Sequence, residues 1–431
     1  MVTIGNTTLP GVQTTVESSR SVGVGLGSPG DVLLVGSADD EIGTAEPNEG
    51  YQIRTPSRAR HYFGDNSPLT NAVIDALREG AFPVYAMAVE TESVEDENVD
   101  SGIGSLDSVP VSEVASDTEF TVDGQELTTI ITFGDPEDYT PGENEAYLNP
   151  VTGDYNIDYD TIDPASVDYV YHDYDTALDA VYEDEAGEEA DFVGVLVEND
   201  DVVGSAVQTV ELMAQDYNFA IAVAGASSRM SNEEIGEHEN GYDTSRLQLV
   251  YPSRNNDGES IIGSYLGLRS SLGISASPMR RRIGSQNDLN HTLSPEQKTE
   301  LLDERVIPIA NERAGARVIE DVTTAKEDNA DEHQMRQGIA RLVIDYVTLV
   351  VQANSDSFIG ELHTESARNA LQNIIKSELK DLMSLNAITA YSVSVQEVDS
   401  MIASVDVGVE TVAPLRNIVA TVTAGEVASA A

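Results

Sequence analysis

The sequence predicts a multidomain chain of mixed α/β and α+β class: an α/β core, a small β-rich insertion, and extended strand-forming arms at both ends. Three observations predict it. Apolar runs of strand length alternate with helical patterns through 169–325, the texture of βαβ units and a mainly parallel sheet. Residues 91–168 are instead short alternating pieces set among Asp-, Gly-, Pro- and Tyr-rich turns. Residues 326–413 read as helix, helix, strand, strand, and the stretch from Pro414 is strand-prone again.

In chain order, 1–20 is a polar, Thr-rich arm with Pro10-Gly11 as a turn signal. Its Val2, Ile4, Val12 and Val16 suit an extended segment better than a core. The first part of the core, 21–90, holds a strand at 32–35 and a helix opened by Pro68 and closed by Gly80. A second strand follows at 84–89. In the insertion, Phe120 with Val122 and the run 128–133 mark short strands, and the whole segment is acidic and expected to be exposed.

Residues 169–325 give helices at 177–182, around Ala206, Val210 and Met213, and at 261–272, with strands at 192–197, 219–223 and 247–251. Ser294-Pro295-Glu296-Gln297 supplies an N-cap Ser, Pro at N1 and Gln at N3, a strong helix start. Strands at 306–310 and 317–319 make a hairpin around Gly315.

The C-terminal unit, 326–413, has one helix face in Ile339, Leu342, Val343, Tyr346, Val347 and Val350. A second runs through Leu371, Ile374, Ile375, Leu379 and Leu382. Tyr391, Val393 and Val395, then Val405, Val407 and Val409, alternate with polar neighbours as two half-buried strands. The arm 414–431 carries Ile418-Val419-Ala420-Thr421-Val422-Thr423, β-branched and uncharged. Such a terminus needs a sheet edge to pair with, and another copy of the chain can offer one.

Charge narrows the function classes. There are 76 acidic residues against 23 basic, a formal −53, and the only lysines are Lys298, Lys326, Lys376 and Lys380. The acids are spread along the chain, so they coat a surface rather than form a tail. In molar salt the Debye length falls to about 3 Å and this self-repulsion is screened, which points to a salt-accumulating halophilic origin. Nucleic acid is not expected as a partner, because phosphates need clustered Lys and Arg. No cysteine is present, which excludes disulfides and thiolate metal sites. The N-terminus lacks a signal pattern and no apolar run approaches ~20 residues. A soluble, cytosol-made product with no membrane partner is expected.

Catalytic and cofactor motifs fail on context. Gly25-Leu26-Gly27-Ser28-Pro29-Gly30 has the letters of a dinucleotide fingerprint but precedes a strand, and Pro29 blocks the helix it requires. Asp154-Tyr155-Asn156-Ile157-Asp158 resembles the start of a calcium loop. Tyr159 stands at the sharp-turn glycine, however, and Ala165 at the closing Glu, so a solvated acidic loop is expected. The six histidines are scattered, and Ser227-Ser228 lacks the second Gly of a nucleophile elbow. No catalytic residue, cofactor or metal is expected. Arg280-Arg281-Arg282 stands out in so acidic a chain, as an intrachain ion-pair site or an intersubunit contact made by bidentate forks.

The order of motifs resembles contractile tail sheath proteins. Leu9-Pro10-Gly11-Val12 resembles the family's Pro-Gly-Val start. Phe63-Gly64, Pro68-Leu69 and Gly80 leading into Val84-Tyr85 are similar to its next segment. Ser264-Tyr265-Leu266-Gly267, Pro278, Ile283-Gly284, Leu293, Glu300-Leu301-Leu302 and Gly315-Ala316-Arg317-Val318 resemble its central signature. Ala387-Ile388, Tyr391, Val393, Pro414 and Ile418-Val419 resemble its last strand and arm. Lys326-Glu327-Asp328-Asn329 departs from the usual arginine-rich helix start.

The resemblance implies a non-enzymatic subunit stacked in hexameric rings around a tail tube, which contracts to drive the tube through a target envelope. Implied partners are the chain itself, the tube, the baseplate and the tail terminator, and the implied location is a virion tail sheath assembled in the host cytoplasm. Implied strand donors are Val2, Ile4, Val12, Val16, Ile418, Val419, Ala420, Thr421 and Val422. The receiving hairpin would carry Tyr391, Val393, Val395, Val405, Val407 and Val409. Arg280, Arg281, Arg282, Lys376 and Lys380 are candidate intersubunit or tube contacts. The alternatives are the sheath of a non-viral injection machine, a halophilic α/β enzyme, or a capsid or surface-layer subunit.

Overall fold

The computed structural model describes residues 30–39, 42–100, 102–142, 144–158, 165–226, 241–286, 288–313, 315–329 and 332–414. The chain enters through β1 (Val32–Gly36), β2 (Gly50–Ile53), α1 (Pro56–Phe63), α2 (Pro68–Glu79) and β3 (Val84–Ala88). The α2 ends follow from its sequence. Ser67 caps the start by accepting from Thr70 N at 3.2 Å, and Gly80 closes it at φ 112°. α1 and β2 left weak sequence signals, since α1 buries only Ala59 and Phe63 and β2 is an edge strand.

The insertion contains β4 (Glu90–Asn98), β5 (Gly102–Ser105), β6 (Thr118–Val122), β7 (Gln125–Glu126), β8 (Thr128–Ile131), β9 (Glu145–Leu148), β10 (Asp154–Ile157) and β11 (Ala165–Asp173). They make two four-stranded sheets, β5-β10-β9-β8 and β4-β11-β6-β7. Phe120, Leu148, Tyr155, Ile157, Val167 and Tyr169 form its own apolar cluster. The loop expected at Asp154 is therefore corrected. Residues 154–157 are a strand with Tyr155, Asn156 and Ile157 buried, and the Asp154 carboxylate accepts from Ser105 Oγ and Thr152 Oγ1. Alternating Tyr and Ile satisfied the strand period that the acidic residues masked.

The core resumes with α3 (Tyr174–Glu183), α4 (Glu185–Glu188), β12 (Phe192–Val195), α5 (Asp200–Gln215), β13 (Ile221–Gly225), β14 (Leu247–Tyr251), α6 (Ile262–Leu272), α7 (Pro295–Asp303), β15 (Val306–Glu312) and β16 (Gly315–Val318). The capping box at Ser294 is complete: Ser294 Oγ accepts from Gln297 N, and Gln297 Oε1 from Ser294 N. An eight-stranded sheet has the order β16-β15-β14-β13-β12-β1-β3-β2, parallel except for its two outermost strands. Val32 and Leu34 face one apolar layer, Leu33 and Val35 the other. Strands covered on both sides read as unbroken apolar runs. Each such side chain contributes about 1.5–3 kcal/mol.

On one face α6 lies close against α2. A Cβ on Gly263 or Gly267 would come within 2.2 Å of Ala72 O or 2.5 Å of Ala76 O. The chain ends in α8 (Gly338–Asp356), α9 (Glu365–Ser384), β17 (Ile388–Asp399) and β18 (Ile402–Thr411). Ile374 departs from the apolar face expected of α9. It is exposed, because Leu371, Ile375, Leu379 and Leu382 already complete the stripe.

Candidate assembly interface

β17 and β18 form a two-stranded antiparallel sheet on α9. The six residues expected to face inward meet as three cross-strand pairs: Tyr391 with Val409, Val393 with Val407, and Val395 with Val405. All lie on the face packed against Leu371, Ile375 and Leu379, yet only Val393 is fully buried. Gln372 Nε2 donates to Val393 O at 2.6 Å, and Arg368 pairs with Glu397 at 2.9 Å. Among the described residues neither outer edge of this hairpin carries a further strand. A two-stranded sheet is marginal alone, and its open edges are templates for another strand.

The proposed donors Val2, Ile4, Val12, Val16, Ile418, Val419, Ala420, Thr421 and Val422 lie outside the described residues. Of the candidate contacts on α9, Lys376 is half-buried and Lys380 exposed. The arginine triplet lies far away along the chain. Its backbone runs beside β16, with Arg280 N donating to Val318 O and Val318 N to Arg281 O. Arg280 is also 3.2 Å from Glu312.

α8 joins the hairpin unit to the core. Its Val343, Val347, Val350 and Val351 pack towards α9, while Leu342 enters the core of the large sheet. On the core side a buried carboxylate, Asp345, accepts from Arg246 at 2.9 and 3.2 Å and from both Arg341 Nε and Nη2. Burial pulls the Arg341 guanidinium below its ordinary value, and Asp345 opposes this. At the start of α8, Ile339 N donates to Asp321 Oδ2 at 3.1 Å, a carboxylate at the positive helix end. A Cβ at Gly338 would come within 2.5 Å of Asp321 Oδ1, so glycine is needed there. Sequence reasoning missed this joint, although Arg341 and Asp345 stand at i,i+4.

A doubly wound sheet holds ligands beyond the carboxyl ends of its strands, where the connections diverge. Here that point lies between β1 and β12, and the insertion occupies it. The cavity left among Ser37, Val111, Glu113, Val151, Tyr174 and Leu196 is about 10 Å³, room for about one water. Arg254 seals the place. It bonds Glu198 of the core at 2.9–3.1 Å and Glu113 of the insertion at 2.8 Å, and stacks 4.1 Å over Phe133. Burial alone would lower its pKa, but the two carboxylates raise it above the ordinary value.

At the opposite end of the sheet, a groove of about 640 Å³ beside Leu349 of α8 is rimmed by Glu183, Glu188, Glu189 and Asp216. Burial pushes Asp191 in its floor up to about 6, against N–H donors from Gly30 and Asp31. Among the described residues no cluster of three metal-ligating side chains occurs, and no helix is long and apolar enough to cross a membrane.

The sequence matches no family model and no curated protein. Solved structures match along nearly the whole chain. The anti-feeding prophage helical sheath in its contracted state is 14% identical, with 97% of this chain and 99% of that chain covered at TM-score 0.58. The sheath complex of an extracellular contractile injection system, also contracted, gives 13%, 98% of each chain and 0.57. The sheath tail protein of Desulfitobacterium hafniense gives 12%, 92% and 99%, and 0.55. The chain has the fold of contractile sheath proteins. The coverage includes the C-terminal hairpin unit as well as the α/β core, so the likeness is one of whole architecture and not of a common sheet.

Proposed function

We propose that the chain is a structural, non-enzymatic subunit of a contractile sheath. The observation that carries this reading is the whole-chain likeness to sheath proteins, two of them in contracted assemblies. The open hairpin is consistent with it. Arms 1–18 and 415–424 donate strands, and the edges of 388–397 and 403–411 receive them from neighbouring copies. Backbone hydrogen bonds then keep subunits linked while whole domains rotate.

Hexameric rings stack around a tail tube, with Lys376 and Lys380 as intersubunit or tube contacts. Baseplate and terminator proteins cap the ends, and contraction drives the tube through an envelope for genome delivery from a virion tail. No nucleotide is consumed. The filled crevice of the α/β sheet favours this over the enzyme reading. A non-viral injection machine uses the same assembly chemistry and differs in cargo. The formal net charge of −53 suits a halophilic host.

Deleting 1–18 or 415–431 leaves a folded monomer, with an unchanged circular dichroism melt, that forms no tubes by negative-stain microscopy at high salt. Normal tubes from either deletion overturn the strand-exchange reading.

A further inference from the structure

Carboxylates outnumber basic groups more than threefold in this chain, 76 to 23, yet five arginines collect at one sheet edge. Residues 280–283 lie along β16 through Arg280 N to Val318 O (2.8 Å), Val318 N to Arg281 O (3.0 Å) and Ile283 N to Ala316 O (3.0 Å). This closes the backbone edge, so what the edge presents is side chains. Arg280 and Arg317 share one carboxylate, Glu312, each at 3.2 Å. The guanidinium of Arg282 lies over Gly315, where a Cβ would come within 3.0 Å of it. Arg281 and Arg313 are exposed. Arg280 holds this place at φ 62°, a left-handed conformation that is costly for a side chain of its size.

Through Arg281 and Arg313 the ridge therefore presents exposed guanidinium groups on a strongly acidic molecule. We propose that this ridge is a docking surface for a carboxylate-rich face of a second copy of the chain. The inference rests on the self-assembly reading and adds a contact independent of strand exchange. Charge complementarity selects the occupant. In an assembly of identical −53 subunits, the abundant complementary surface is the subunit's own. Arginine suits the task at high salt, because its planar fork hydrogen-bonds a carboxylate bidentately when long-range attraction is screened. A ridge on one copy meeting a different face of the next is a heterologous contact, the kind that builds rings and helices rather than closed pairs.

The absence of cysteine makes the test clean. Full-length Arg281→Cys carrying a maleimide–benzophenone probe is mixed with isotopically heavy chain at high salt, irradiated and mapped by mass spectrometry. Expected are light–heavy cross-links to Asp/Glu-rich peptides. The doubly substituted Arg281→Glu/Arg313→Glu chain should also lose self-association by at least about tenfold in sedimentation, with Arg281→Lys/Arg313→Lys intermediate. Tubes that form without light–heavy cross-links overturn the proposal and leave the sheath reading intact. A wild-type chain that never self-associates overturns both. Capture of duplex DNA by the ridge without light–heavy cross-links overturns it in favour of a nucleic acid.

Discussion

The eight-stranded sheet and the β17–β18 hairpin solve opposite problems. In the large sheet β1, β12, β13 and β14 are buried along their whole length, and the β16 edge is covered by 280–283. The hairpin has two strands, one half-covered face and, among the described residues, two open edges. The central strands of the large sheet have satisfied their backbone within the chain, and the hairpin leaves its own available. Parallel strands with both faces covered have nothing to offer a neighbour, whereas a short antiparallel sheet joins without unfolding. In the sheath proposed above, a subunit that moves as a block yet stays tied to others would need both.

The sharpest way to break this division is at its joint. Asp345→Ala leaves Arg246 and Arg341 buried without their carboxylate, and is expected to cost about 3–5 kcal/mol. Calorimetry should then resolve the hairpin unit melting ahead of the core. A single transition at the wild-type temperature would show that the joint does not couple them.

Asp191 offers a smaller, pH-dependent effect on the core side. Its folded pKa, about 6, lies above the ordinary 3.8, so the folded chain holds the proton more tightly. Stability contributed by that proton is present below about pH 4 and falls as pH rises to about 6. Asp191→Asn is expected to stabilise by about 1–3 kcal/mol at pH 7 and to change little at pH 4, read from denaturant midpoints. Equal effects at both pH values would sink the assignment.

The smallest effect belongs to the hairpin. Arg368→Ala removes a half-exposed pair with Glu397, and is expected to cost about 0.2–1 kcal/mol, fading with added salt. A loss as large as that of Asp345→Ala would mean the hairpin depends on ionic contacts and not on its apolar pairs.

The same division decides what was legible in the sequence. Core strands were readable because double burial leaves continuous Val, Leu and Ala runs, and α2 and α7 because their caps are local. The six hairpin residues on the packed face followed from strict alternation, whereas their register did not. α1 was not readable, since Pro56-Ser57-Arg58-Ala59-Arg60-His61 buries one side chain. The Arg254 contacts span 56 and 141 residues, and Arg246 reaches Asp345 across 99. No local pattern encodes such distances. The closure of the β16 edge by the arginine segment was hidden likewise, because pairing there depends on a loop without strand period.

One further consequence lies in how the insertion is attached. The chain leaves the core at Glu90 and returns at Asp173, and these two residues are register partners across β4 and β11. Entry and exit are one strand spacing apart, about 5 Å. The intervening segment is thus topologically a cassette: it can be shortened, exchanged or replaced by another compact module without rerouting a core strand. The requirement carried by the rest of the molecule is a plug for the crevice it vacates and a carboxylate for Arg254. The surface of such a module can diversify while the core beneath it stays the same.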